Sequence, residues 1–241
     1  MKVKFLGTRG NIEERTRRHY MHSSLMVSYH GKGVMIDGGE DWLGKVKSLH
    51  PLAIVLTHAH SDHSWGLKKG VACPVYATRE TWERLEDFQI DQRLVVEHRE
   101  PIKVQGIDFE AFRVEHSARA PAVGYRINAG KAAIFYVPDV VYVYDCKEAL
   151  SGVKVYVGDG ATIVRSMVRQ RDNTLIGHTP IRTQLAWCKK ENVSKAIFTH
   201  CGSQIVKGDE RKISAKIRHM GKKCAVDAGI AHDGMEVVIR G

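Results

Sequence analysis

The sequence predicts an α/β fold, and three observations carry the prediction. Short apolar runs rich in β-branched residues recur along all 241 residues, helical stretches lie between them, and seven runs end in histidine or aspartate. The strand candidates are residues 24–27, 33–36, 52–56, 107–115, 122–127, 132–137, 153–157, 195–199 and 236–239, preceded by an early or edge strand that ends at Gly7. The helix candidates are residues 41–49, 64–69, 79–86, 179–191 and 211–220. No long linker, internal repeat or low-complexity tract divides the chain, so one domain over residues 1–241 is expected.

The strand boundaries carry the chemistry. Val34-Met35-Ile36 stops at Asp37, and residues 52–56 stop at Thr57 and His58. The run through Glu115 stops at His116, that through Pro138 at Asp139, and that through Gly158 at Asp159. Residues 174–177 lead to His178 and residues 196–199 to His200. In a layered α/β domain the strand ends and the loops beyond them form the ligand crevice. A repeated choice of His and Asp at those ends predicts that they converge on one site.

Composition narrows the class. With 43% hydrophobic and 27% charged residues the chain reads as a water-soluble globular protein, and no apolar run is long enough to span a bilayer. The short apolar core of the first residues is not that of a secretory signal, which predicts a cytoplasmic protein without a membrane role. Five cysteines with no C-x-x-C pair predict reduced thiols, with Cys201 beside His200 read as buried filler. The formal net charge of +10 is uneven: residues 1–120 hold 18 basic against 16 acidic side chains, residues 121–241 hold 19 against 11. The basic stretch from Lys207 to Lys223 is either a phosphate-tracking surface or a solvated helix face.

Imidazole and carboxylate are preferred ligands of Zn²⁺, at about 2.0–2.2 Å. His58 and His60 lie two apart in an extended segment and can point the same way, while Asp62 and His63 come round as the chain turns into a helix. One loop can therefore serve two adjacent metals.

Those residues carry a resemblance. "HAHSDH" at 58–63 matches the H-x-H-x-D-H signature of the metallo-β-lactamase-fold hydrolases, followed in order by His116, Asp139 and His200. Within that superfamily the chain is most similar to the phosphodiesterase branch of tRNase Z and the phosphoribosyl cyclic phosphodiesterases, through "FLGTRG", "HSSLMV", "VMIDGGE", "EHSARAPAVGYRI" and "IAHDGMEVVI". The resemblance implies a four-layer αβ/βα sandwich with two divalent metals at one edge, zinc first and manganese as the alternative. It implies His58, His60 and His116 on one metal, Asp62, His63 and His200 on the other, Asp139 between them, and Asp37 behind the ligand loop. "GHTPIRTQLAWC" resembles the G-H-S-T segment of tRNase Z, which implies that His178 assists the leaving group; a ligand role for His178, or a structural role at the helix entry, are the alternatives. Where tRNase Z has a glutamate in H-E-A-T, this chain has "GDGA", making Asp159 a shorter partner. The Gly- and Pro-rich insertion that clamps tRNA in that enzyme is not found, nor are the cysteines of the extra zinc site in the cyclic phosphodiesterases.

The expected activity is hydrolysis of a phosphodiester by hydroxide held between two metals, with Asp62 orienting the nucleophile. Arg9, Arg17 and Arg18 of the first basic loop are expected to bind substrate, with Arg165, Arg169 and Arg171 as a second basic loop before His178. A small or cyclic phosphodiester is preferred to RNA because the tRNA clamp is missing, and a homodimer is a candidate assembly. Hydrolysis of a carboxylic ester, thioester or lactam at the same dimetal site is the alternative. Diiron redox members carry glutamate at the place of His60, which argues against that chemistry.

Overall fold

Two sheets packed face to face form the centre of the fold. The computed structural model describes residues 1–240. In the first half, β1 (Lys2–Gly7), β2 (Ser24–Tyr29), β3 (Lys32–Ile36), β4 (Ala53–Val55), β5 (Val75–Ala77) and β6 (Arg93–Val95) form one sheet in sequence order. The second sheet is built from β7 (Ile102–Val104), β8 (Ile107–Glu115), β9 (Ala122–Ala129), β10 (Ala132–Tyr136), β11 (Tyr142–Val143), β12 (Val155–Asp159), β15 (Lys195–Thr199) and β16 (Asp227–Ile230). Its order is β11-β8-β9-β10-β12-β15-β16, with β7 also paired to β8. A separate hairpin, β13 (Arg169–Arg171) and β14 (Thr174–Ile176), stands outside both sheets, and β17 (Glu236–Val238) returns to pair with β1. The helices are α1 (Ser61–Ser64), α2 (Arg79–Arg84), α3 (Cys146–Leu150), α4 (Ile181–Lys190), α5 (Ser203–Val206) and α6 (Glu210–Lys223).

Three hydrophobic clusters define four layers. Side chains alternate across a strand, so a strand buried on both faces sends successive residues to different layers. Val34 and Ile36 of β3, Ile134 and Tyr136 of β10 and Val157 of β12 meet between the sheets. Met35 and Ile54 point outward to Trp42, Leu67, Trp82 and Leu85 beneath the first helical layer. Phe135, Tyr156 and Phe198 point to the opposite side, under Ile181 and Leu185 of α4 and Ile217 of α6. The result is the αβ/βα sandwich expected from the sequence resemblance.

Strand direction gathers the site. β3, β4, β5 and β6 are parallel, as are β10, β12, β15 and β16. Their carboxyl ends therefore open on a common edge in each sheet, and the residues just past them are Asp37, Thr57-His58, Asp139 and His200. No described helix is long and apolar enough to cross a membrane.

Several boundaries differ from the sequence reading for local reasons. The expected helix over 41–49 is two 3₁₀ turns, Glu40–Trp42 and Val46–Leu49, separated at Gly44, whose φ of +75° no helix accommodates. β5, β6, β7 and β16 span only three or four residues and were not foreseen. Arg9 is a correction. Expected to bind substrate, it is 1% exposed, because its guanidinium pairs with the half-buried Asp41 and donates to the carbonyls of Tyr20 and Ile12. Its cation is already engaged in holding the first loop against the 3₁₀ turn, so it cannot reach a substrate.

The same loop is fastened to the connection between β16 and β17. Thr8 Oγ1 donates to Asp233 Oδ1 at 2.7 Å and accepts from His19 Nδ1 at 2.8 Å, while Asp233 Oδ2 accepts from the Tyr20 and Met21 amides, both at 2.9 Å. Burial of His19, with Arg18 and His232 nearby, holds its imidazole down to about 4. An unfolded histidine titrates near about 6.5. Between those values the unfolded chain binds a proton that the folded chain refuses, so stability falls as pH drops through that window. The loss from this residue totals about 3 kcal/mol at pH 4. We predict that His19→Gln flattens the pH dependence of urea unfolding between pH 6.5 and 4; an unchanged slope would show that His19 does not contribute.

Candidate metal centre

Sharp backbone turns deliver the side chains. Asp37, just past β3, and His200, just past β15, have φ of 58° and 51°, the left-handed region that Asp and His tolerate better than most residues. Each ends its strand abruptly at the cleft. Gly39 allows the turn after Asp37 to lie against α1, since a Cβ there would sit 2.1 Å from the Asp62 carbonyl oxygen. His58 and His60 come from the loop after β4, Asp62 and His63 from α1, His116 from the end of β8, and Asp139 from beyond β10.

Hydrogen bonding fixes which ring nitrogens face the centre. The Thr57 hydroxyl donates to the Asp37 carboxylate, so it accepts from His58 Nδ1 at 3.0 Å, leaving His58 Nε2 as a lone pair. The Gly177 carbonyl can only accept, so His116 Nδ1 carries the hydrogen at 3.1 Å and His116 Nε2 is likewise free. His63 Nδ1 donates to Asp37 Oδ2 at 2.9 Å. These are the outer partners that orient metal-binding imidazoles.

His60 Nδ1 then lies 3.0 Å from His58 Nε2 and 3.2 Å from His116 Nε2. Two of these three nitrogens lack hydrogen, and a neutral ring supplies only one donor. Three tetrahedral nitrogens on one Zn²⁺ would be about 3.4 Å apart, close to what is found. Beside them, His63 Nε2 is 2.8 Å from Asp139 Oδ2, and His200 Nε2 is 3.0 Å from Asp62 Oδ2 and 3.4 Å from Asp139 Oδ1. His63 Nε2 and Asp139 Oδ2 are buried without an aligned hydrogen-bond partner. Five donor groups could each hold an ion: His58, His60 and His116; His58, His63 and Asp139; Asp62, His63 and His200; His116, Asp139 and His178; and Asp159, His178 and His200.

The electrostatics divide the cluster in two. Burial, reinforced by neighbouring imidazoles, holds His58 well below its ordinary value, and burial pushes His60 down and His116 to about 4. On the other side burial opposes charge, yet Asp139 and Asp62 hold His63 well above its ordinary value, and Asp139, Asp159 and Asp62 raise His200 to about 10. Burial likewise opposes ionisation of Asp62 and Asp139, but His63 and His200 outweigh it and hold both well below the usual carboxylate range. The chemistry of this donor set, neutral imidazoles facing one another beside buried carboxylates, fits divalent cations.

A second pair adjoins it. His178 Nδ1 donates to Asp159 Oδ2 at 2.8 Å, and its ring stacks on that of His200 at 5.4 Å between centroids. Burial opposes the proton on His178, but Asp159 outweighs it and the imidazole is raised. Asp159 also accepts from the Val140 and Ala161 amides, so its carboxylate is fixed from three directions. Gln184 completes the mount. Its amide accepts from Asp159 N at 2.9 Å and donates to Asp159 O at 2.7 Å. Gln184 was missed in the sequence, although a glutamine on the buried stripe Ile181, Leu185, Cys188 of α4 is the signal that could have found it.

The basic loops separate. Arg17 and Arg18 line a cavity of about 230 Å³ beside α5 and α6, with Arg18 paired to Glu210 at 3.2 Å and no residue of the histidine cluster in its wall. Arg165 and Arg169 line a different cavity that includes His178 and His200. α6 turns Ile213 and Ile217 to the core, and its lysines line neither cavity that borders the cluster. Cys201 is fully buried, and all five cysteines are free.

Known proteins give the same picture. Residues 33–201 match the family described as the beta-lactamase superfamily domain. The exodeoxyribonuclease YycJ of Bacillus anthracis is 30% identical over 112 residues, covering 43% of this chain and 42% of that protein. The chain spans about half the length of the curated relatives it matches. Among solved structures, the metallo-β-lactamase fold protein YhfI of Bacillus subtilis superposes with a TM-score of 0.75 at 15% identity, covering 98% of each chain. The short form of human tRNase Z gives 0.68 at 16% identity over 100% of both. With its His- and Asp-bearing strand ends inside the matched segment and its sandwich shared over nearly the whole length, the chain belongs to the β-lactamase superfamily.

Proposed function

We propose that the protein is a metal-dependent hydrolase of phosphodiesters, with His58, His60 and His116 holding one divalent ion, Asp62, His63 and His200 a second, and Asp139 shared. Zinc suits these imidazoles and carboxylates, and manganese is the alternative. Two such ions supply a nucleophilic water at neutral pH and neutralise charge on the phosphoryl oxygens.

The observation that carries the reading is the Asp159–His178 pair. Asp159 fixes Nδ1 as the donor to itself and favours the protonated ring, which leaves the Nε2 hydrogen available to a departing oxygen. A phosphodiester expels an alkoxide of high basicity and needs that proton, whereas a thioester expels a thiolate that does not. Asp62, whose Oδ2 is 3.0 Å from His200 Nε2, is the carboxylate assigned to orient the attacking water. The exodeoxyribonuclease relative, whose name denotes phosphodiester cleavage, supports this class over carboxylic ester or lactam hydrolysis. Five free thiols suit a reducing compartment, the cytoplasm.

Two outcomes are predicted. Elemental analysis of the purified protein should find about two divalent ions per chain, and chelation should abolish turnover; full activity in chelator would contradict the reading. His178→Ala should keep both ions and lower kcat on a dinucleotide by about 10²–10⁴, the usual contribution of a general acid. The loss should be much smaller on bis-p-nitrophenyl phosphate, whose leaving group needs little protonation. Loss of an ion from that variant would make His178 a ligand instead.

A further inference from the structure

Two cavities of opposite character border the histidine cluster. One, of about 330 Å³, has His116 in its wall together with Thr78, His98, Arg113 and Tyr144. The other, of about 810 Å³, has His178 and His200 in its wall with Arg165, Arg169 and Gln204. Both fall within the range of small-ligand sites, about 300–1,000 Å³. The β13–β14 hairpin stands between them, with Thr174 facing the smaller and Gly177 the larger. Its base is tied to the cluster, because Gly177 N donates to His116 O at 2.9 Å and Met167 N to His178 O at 3.1 Å. Gly177 has φ +106°, and a Cβ there would lie 2.3 Å from the Met167 carbonyl oxygen, so the two ends of the hairpin close tightly on each other.

Charge tells the two apart. The smaller cavity is balanced: Glu80 lies 3.8 Å from His98, and Tyr144 donates to Glu115 beside Arg113. Two carboxylates make it a poor seat for a phosphate. It offers instead an aromatic ring, 43% exposed, with the Arg113 guanidinium 5.8 Å from its centroid, the combination on which nucleobases stack. The larger cavity has no acidic residue in its wall. Among the described residues neither Arg165 nor Arg169 has a carboxylate within ion-pair distance, so both cations are available to phosphates.

Building on the phosphodiesterase reading, we propose that the smaller cavity seats the terminal nucleoside of a linear nucleic acid strand, with Tyr144 as its stacking platform, while the rest of the strand leaves through the arginine-lined cavity. A cyclic phosphodiester carries both ester oxygens on one sugar and fills only one cavity; a linear diester fills both. This departs from the small or cyclic substrate preferred on the sequence. The position of His178 sets the direction of cleavage. Water oxygen bonds to phosphorus and releases a proton to solvent, the P–O bond on the arginine side breaks, and His178 protonates that leaving oxygen, to be reprotonated from solvent. The products are a nucleoside monophosphate, its base on Tyr144 and its phosphate at the histidine cluster, and a strand one nucleotide shorter that ends in a hydroxyl.

The test uses the zinc- or manganese-loaded protein with a ten-nucleotide single-stranded DNA, a 2′,3′-cyclic mononucleotide and bis-p-nitrophenyl phosphate. The expected first product from the DNA is a mononucleotide, with kcat/KM at least tenfold above that for the cyclic substrate. In calcium, without turnover, Tyr144→Ala should weaken DNA binding about 5- to 100-fold, the range of one base stack, while Tyr144→Phe stays within threefold of the parent. Circular dichroism confirms that both variants are folded. Internal fragments as first products, preference for the cyclic substrate, or equal DNA binding by Tyr144→Ala would overturn the inference while hydrolysis of bis-p-nitrophenyl phosphate leaves the phosphodiesterase reading standing. Failure of the metal-loaded protein to cleave any of the three would reject both.

Discussion

Four carboxylates, Asp37, Asp62, Asp139 and Asp159, are buried at one edge of the sandwich, and no lysine or arginine pairs with them among the described residues. Buried charge on this scale costs several kcal/mol per group unless it is compensated. Among the described residues their cationic partners are histidines: His63 lies between Asp37, Asp62 and Asp139, His200 between Asp62, Asp139 and Asp159, and His178 against Asp159. The rest of the edge follows from that demand. The parallel strands bring the acids together, left-handed turns at Asp37 and His200 end the strands at the cleft, and Thr57, Gly177 and Gln184 supply the hydrogen bonds that hold each ring or carboxylate in one orientation. A divalent cation at each donor group satisfies the same charge more completely than a proton can.

Much of this was legible in the chain, and for a physical reason. Strands buried on both faces read as uninterrupted apolar runs, so β3, β4, β10, β12 and β15 could be found with the His or Asp that ends each. The short β5, β6 and β7 escaped because three residues carry no measurable period. Arg9 was misplaced because sequence shows charge but not burial. Only the fold reveals that Asp41 lies beneath it, and that Asp41 also takes Arg15 at 2.8 Å. Gln184 was lost for the opposite reason, since a polar residue on a helix is ordinarily solvated, and here it is fully buried against Asp159.

Arg165 and Arg169 show how topology places charge where composition cannot. Both basic loops are rich in arginine, but the first is folded onto Asp41 and Glu210 while the second hangs from a hairpin whose base is bonded to His116 and His178. Because the Gly177 carbonyl also orients the His116 ring, the element that frames the two cavities is mechanically part of the cluster. Displacing the hairpin would therefore move the acceptor of His116 Nδ1.

Anomalous diffraction at the metal absorption edge, on crystals of the metal-loaded protein, tests the central claim most directly. Two peaks are expected, one among His58, His60 and His116 and one among Asp62, His63 and His200, with Asp139 in contact with both and the ligand distances at about 2.0–2.2 Å. A single peak, or peaks away from these side chains with the four carboxylates still bridged only by histidines, would contradict it.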